Sequence, residues 1–120
     1  HFPYQLAPLK IRSYDGTESS GRFELELAPE LELAGRELLI LEDIVDSGGT
    51  LDYLHRHFRG LGVKQMRVCT LLFKPDAFRG DNGPPAFVGR EVPDRFMLGF
   101  GLDVDEAGRH LNDLYVLDAQ

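Results

Sequence analysis

The chain is poor in cysteine, in basic residues and in long apolar runs, and each shortage closes off a class of protein. Cys69 is the only cysteine, so no disulfide can form within the chain, and a reducing cytoplasm is the expected compartment. Lys and Arg number 13 against 20 Asp and Glu, a formal net charge of -7. Nucleic-acid affinity rests on neutralising phosphates with basic side chains, so that balance speaks against a nucleic-acid partner. No apolar run approaches the roughly 20 residues of a membrane helix, and no membrane partner is expected. The opening His1-Phe2-Pro3-Tyr4-Gln5 lacks the basic-then-apolar order of a signal peptide. There is no internal repeat or low-complexity tract.

What is present suits one globular domain over residues 1–120, with 42% hydrophobic and 28% charged residues. An acidic chain can still bind a phosphorylated small molecule, through backbone N–H groups and through Mg²⁺ bridging to carboxylates. Leu6 to Arg12 reads as a strand, followed by a polar, glycine-bearing loop from Ser13 to Gly21. Arg22 to Leu27 alternates as a strand with one wet face, on which Glu24 and Glu26 fall. Glu37 to Leu41 is a continuous aliphatic run, the pattern of a central strand buried on both faces. A loop from Glu42 to Thr50 leads into a helix over about Thr50 to Arg59, with Leu51, Leu54, Phe58 and Leu61 at helical spacing. Gly60 and Gly62 would end that helix. Met66 to Phe73 is a second aliphatic strand, making a right-handed parallel crossover with the first. A Gly- and Pro-rich loop spans Arg79 to Pro85, and short strands are expected at Phe87-Val88, Phe96 to Leu98 and Leu114 to Leu117. The class is α/β, with a mainly parallel central sheet flanked by helices.

In open α/β sheets ligands sit at the carboxyl ends of the strands. Here that end carries Glu42, Asp43 and Asp46 within five residues. An acidic pair on a surface loop is ordinarily just solvation. Directly after an apolar strand, crowded like charges instead call for a compensating partner, and ribose hydroxyls or Mg²⁺ supply one. Ser47-Gly48-Gly49-Thr50 then opens the helix: two glycines allow a tight turn, two hydroxyls add donors, and a helix N-terminus favours a dianion. Ser and Thr also cap helices everywhere, so this tetrapeptide alone is weak.

The whole string Leu38-Leu39-Ile40-Leu41-Glu42-Asp43-Ile44-Val45-Asp46-Ser47-Gly48-Gly49-Thr50-Leu51 is far more specific. It resembles the phosphoribosyl-pyrophosphate motif of the type I phosphoribosyltransferases, with Ser47 standing where the family usually has Thr. Phe87 to Asp103 resembles the hypoxanthine-guanine branch, with Arg90 where an aromatic is common. Leu71-Leu72-Phe73-Lys74 resembles that branch's strand ending in lysine, and Ser13-Tyr14 its lid. The likeness runs from about Leu9 to Asp118. It implies the type I phosphoribosyltransferase fold, with further strands, a helix and a pyrophosphate loop ahead of the lid. Nothing before Ser13 matches those, so the chain is expected to be N-terminally incomplete relative to the family.

By the same resemblance Glu42 and Asp43 hold the ribose hydroxyls, and Asp46, Ser47, Gly48, Gly49 and Thr50 cradle the 5′-phosphate. Lys74, Phe96, Met97 and Asp103 meet the purine. Ser13, Tyr14 and Arg109 serve the lid and the pyrophosphate, and Asp103 with Glu42 and Asp43 hold Mg²⁺. The implied reaction transfers ribose 5-phosphate from 5-phosphoribosyl-1-pyrophosphate to N9 of hypoxanthine or guanine, giving IMP or GMP. Asp46 is the candidate general acid or base at N7. Lys74 is a donor-only group that pairs with a 6-oxo group and clashes with the amino group of adenine. Without the resemblance, Phe96 reads as core, Lys74 as a solvent-facing strand end and Arg109 as a surface arginine. Two other readings stay open: a nucleotide-binding fragment or regulator without turnover, and an RNA-binding regulator, which the charge disfavours. Apolar sheet edge left without its neighbour favours self-association, as a dimer or tetramer. His1, His55, His57 and His110 have no metal-ligand company and read as surface residues; Cys69 reads as a buried small hydrophobe.

Overall fold

The computed structural model describes residues 3–13, 23–27, 31–103 and 105–117. Strands β1 (Leu9–Ser13) and β2 (Phe23–Leu27) form an antiparallel pair. Strands β3 (Glu37–Val45), β4 (Gln65–Phe73) and β5 (Phe87–Glu91) form a parallel sheet in the order β3-β4-β5. Helix α1 (Gly49–Gly60) connects the first two of these, as the crossover pattern anticipates. Strands β6 (Met97–Leu98) and β7 (Tyr115–Val116) close a small antiparallel pair.

Helix α1 forms because Leu51, Leu54 and Phe58 line one side of it at helical spacing, and all three are buried. Burying side chains of that size contributes roughly 1.5–3 kcal/mol each. Asp52 in the first turn and Arg59 in the last complement the helix dipole. Leu61, expected on the buried stripe, is exposed instead, because it sits at the C-cap where the chain leaves the helix. Gly62 turns the chain with φ 74°, and its carbonyl accepts from Gly35 N–H at 2.8 Å. That bond and the Lys64–Glu37 ion pair (2.8 Å) tie the entry of β4 to the entry of β3.

Leu33, Ile40, Val45, Val68 and Phe73 pack with the helix residues into the main core, and Leu9, Ile11 and Leu25 of the hairpin pack against it. Leu72, Val92 and Met97 form a second, smaller cluster together with Ile44. Three expectations are corrected. Strand β3 does not stop at Leu41 but runs on through Glu42 and Asp43 to Val45, because Glu42, Ile44 and Val45 pair with Thr70, Leu72 and Phe73 of β4. Nor is it buried on both faces: Leu39 is 55% and Leu41 65% exposed, since α1 covers only one side of the sheet. Cys69 is half-buried rather than buried, on the same face by its pairing with Leu41. Among smaller differences, β1 begins at Leu9, Leu6 is exposed, and Phe96 lies outside β6. His55 and His57 are half-buried, and the His57 ring lies 5.9 Å from that of Tyr53.

Candidate functional site

The register of the parallel sheet assembles the site. Val45 pairs with Phe73 at the carboxyl ends of β3 and β4, so the next residues, Asp46 and Lys74, emerge side by side. Lys74 N–H donates to the Val45 carbonyl at 3.0 Å, which holds the two chain segments together one step beyond the ladder. The Lys74 side chain then turns inward: the residue is only 6% exposed, and its Nζ lies 2.5 Å from Asp46 Oδ2. A second carboxylate, Asp94 Oδ1, stands 3.9 Å from the same ammonium. A buried ammonium needs such partners, because an unpaired charge in the interior is costly. Asp94 was not marked by the sequence; nothing local distinguishes it from the neighbouring surface residues of the Pro93-Asp94-Arg95 turn.

Glu42, Ile44, Asp46, Gly48, Thr50 and Leu51 line one shallow concavity at this end of the sheet. Glu42 is half-buried, and its carboxyl is held above the usual range, first by desolvation and second by the charge of Asp43. Asp43 is exposed, with Oδ1 accepting from Ile44 N–H at 2.7 Å. The two carboxylates thus differ in setting, Glu42 inside the concavity and Asp43 at the surface.

Gly48 is the N-cap of α1, with φ 92°, and no side chain caps the helix there. The glycine is required twice over. Its φ is in the left-handed region, and a Cβ at this position would stand 2.5 Å from the Phe78 ring. Ser47 Oγ accepts weakly from Gly49 N–H at 3.5 Å, and the Ser47 carbonyl accepts from Arg79 N–H at 2.9 Å. Ser47 thus takes part in the first turn, and first-turn amides are the kind of donors that take an anion.

The remaining expected residues lie elsewhere around β6 and the turns that follow. Met97 is buried in the second core cluster, while Phe96 is 74% exposed. Asp103 Oδ1 pairs with Arg109 Nη2 at 2.8 Å, and its Oδ2 accepts from Glu106 N–H at 2.8 Å. Arg109 also reaches the Gly101 carbonyl at 3.4 Å. Ser13 ends β1, but its side chain and the whole of Tyr14 lie outside the described residues. Among the described residues no three His, Cys, Asp or Glu side chains gather into a protein-only metal site. A hard cation held largely by ligand oxygens would need only one or two carboxylates; of the pair Glu42 and Asp43, only Glu42 lines the concavity.

Because the folded-state pKa of Glu42 is raised, its ionisation disfavours the fold. The favourable contribution is complete below the unfolded pKa and is lost as pH rises through the folded one. Glu42→Gln should therefore raise the melting temperature near neutral pH and give no gain below about pH 4. Thermal unfolding across pH checks this; a gain independent of pH would contradict it.

A family model described as the phosphoribosyl transferase domain matches residues 2–105. The chain is 42% identical over 117 residues to the hypoxanthine-guanine phosphoribosyltransferase of Mycobacterium avium, covering 97% of this chain and 57% of that protein. It is 42% identical over 110 residues to the enzyme of the same name from Bacillus subtilis (strain 168), covering 91% and 61%. Among solved structures, a Bacillus anthracis hypoxanthine-guanine phosphoribosyltransferase superposes with a TM-score of 0.80 at 32% identity, covering 93% of this chain and 66% of that one. A Trypanosoma cruzi hypoxanthine phosphoribosyltransferase complexed with the product IMP gives a TM-score of 0.77 at 33% identity, covering 92% and 55%. The chain thus spans less than two thirds of the length of these relatives. No helix among the described residues is long and apolar enough to cross a membrane.

Proposed function

The chain belongs to the phosphoribosyl transferase domain family, with the type I phosphoribosyltransferase fold, and from that premise we propose that it acts in purine salvage. The reaction is transfer of ribose 5-phosphate from 5-phosphoribosyl-1-pyrophosphate to N9 of hypoxanthine or guanine. The bond from C1′ to the pyrophosphate oxygen breaks, the bond from C1′ to N9 forms, and IMP or GMP leaves with pyrophosphate. The observation that carries this reading is the single concavity shared by Glu42, Asp46, Gly48 and Thr50. Two carboxylates and the start of α1 meet in it, which supports a site for a sugar phosphate.

In this reading the amides and hydroxyls from Ser47 to Thr50 take the 5′-phosphate, with the left-handed Gly48 bringing the backbone close. Glu42 accepts from a ribose hydroxyl, which offsets the desolvation that raises its pKa. Asp43 binds at the edge of the site. Asp46 takes the proton from N7 of the purine as positive charge develops on the ribose ring. Lys74, buried and paired with Asp46, offers a further N–H to the 6-oxo group of the base. Phe96, exposed and aromatic, is a platform for the purine ring, with the backbone at Met97 and Asp103 at the base edge. Asp103 is occupied by Arg109 and the Glu106 amide, so a role for either on the pyrophosphate requires exchanging that pair for the ligand. Mg²⁺ would be held by Glu42 from the concavity, with Asp43 at its edge, and would supply positive charge to offset that of the leaving pyrophosphate. Ser13 and Tyr14 belong to the lid that excludes water, since hydrolysis of the donor is the competing reaction. Self-association is supported by the apolar face bearing Leu39, Leu41, Leu71 and Phe87, all exposed. The lone half-buried thiol of Cys69 suits the cytoplasm.

The test is a spectrophotometric assay with hypoxanthine, guanine, xanthine and adenine, run beside equilibrium binding of IMP and GMP. Product from the 6-oxopurines and none from adenine is expected. Binding without product would favour a nucleotide-binding regulator, and absence of both would overturn the reading.

A further inference from the structure

The segment 78–82 grips the start of α1 at three points. The Phe78 ring lies under Gly48, so closely that a Cβ there would be 2.5 Å from its Cε2. Arg79 N–H donates to the Ser47 carbonyl at 2.9 Å. Further along, the Asp52 carboxylate accepts from Asp81 N–H on both oxygens (3.0 Å each), and its Oδ1 also takes Asn82 N–H at 3.2 Å and Asn82 Nδ2 at 2.8 Å. The ring is in turn seated edge-on against Phe73 of the core, 5.4 Å between centroids. The Asp52 carboxyl sits below the usual range. Partial desolvation pushes it up, but the hydrogen bonds from Asn82 and Asp81 and the nearby Arg56 charge outweigh that. These bonds span about 30 residues of sequence, joining the Gly- and Pro-rich loop to the helix.

We propose that Asp52 is a positioning residue. It anchors the segment 78–82 as the back wall of the turn from Ser47 to Thr50 and so holds that turn in its left-handed, anion-accepting shape. Asp52 is not among the residues lining the concavity; it acts through Phe78 and Gly48. The consequence for phosphate binding rests on the proposed function, whereas the clamp itself does not.

The test uses Asp52→Ala, Asp52→Asn and Asn82→Ala in the full chain, read by amide hydrogen exchange and by IMP and GMP binding. Asp52→Ala should speed exchange at Gly48, Gly49, Asp81 and Asn82 by on the order of tenfold. It should also weaken nucleotide binding on the order of tenfold, with a smaller change in turnover of bound substrate. Asp52→Asn keeps an acceptor oxygen for the Asn82 donors and should recover most of both losses. A role limited to helix-dipole charge predicts that Ala and Asn behave alike, and that result overturns the clamp. Asn82→Ala leaves α1 intact and should move the same amides to a lesser degree. Unchanged exchange at Gly48 and Gly49 in both Asp52→Ala and Asn82→Ala overturns the proposal. If the unaltered protein binds neither nucleotide, the functional reading fails, and the exchange data still decide the clamp.

Discussion

Asp46→Asn is expected to lower turnover with hypoxanthine by on the order of 10²–10⁴, while IMP and GMP binding changes by less than about tenfold. Asparagine has the same shape and keeps one oxygen to accept from Lys74, so the 2.5 Å contact survives as a hydrogen bond between charged donor and neutral acceptor. What is lost is the ability to take a proton. If that ability is used at N7 of the purine, the deficit falls on the chemical step and leaves ground-state binding nearly intact. Single-turnover measurement with saturating donor, set beside equilibrium nucleotide binding, separates the two. Equal losses in turnover and in binding would mean that Asp46 only shapes the phosphate turn or steers Lys74.

The distinction matters because Asp46 occupies a dual position. It follows directly on the strand that carries Glu42 and begins the turn that carries Gly48, and it is also the nearest partner of Lys74. Its side chain is 39% exposed, so its pairing with Lys74 is partly screened and contributes less to stability than a fully buried pair. That partial exposure is what a group exchanging a proton with a bound base requires.

The parts of this arrangement that could be read from residue order are those set by local periodicity and by one contiguous motif. Leu51, Leu54 and Phe58 announce α1, and the aliphatic run from Met66 to Phe73 announces β4. The string from Leu38 to Leu51 carries the family and, with it, the fold. The end of β3 is obscured in the sequence because Glu42 and Asp43 interrupt the apolar run, and acids are poor strand formers; pairing with Thr70, Leu72 and Phe73 outweighs that preference. The exposure of Leu39 and Leu41 was hidden for the opposite reason, since an unbroken apolar run does not say which face a helix covers. Asp46 beside Lys74 depends on register across 28 residues, and no spacing rule reaches that far. Phe78 under Gly48 and Asp52 on the 81–82 turn are contacts of the same long-range kind.

Lys74→Gln is the second substitution with a large expected effect, and it acts on choice of base. The lysine ammonium has three donors and no acceptor, so a purine with a 6-oxo group satisfies it and one with a 6-amino group faces a second donor. Glutamine presents both an NH₂ and a carbonyl and can turn either toward the base. Sites that recognise a group through a buried hydrogen bond reject the analogue lacking it by as much as roughly 10⁴–10⁵. The ratio of kcat/KM for hypoxanthine over adenine should therefore fall by at least about 10² in the variant, through both a loss with hypoxanthine and a gain with adenine. The amide can still donate to Asp46, so the fold should survive, with a lower melting temperature because the partly screened ion pair is gone. A ratio left unchanged, with both bases equally slowed, would show that Lys74 serves Asp46 alone. In that case the 6-position of the base would have to be read by a group other than Lys74.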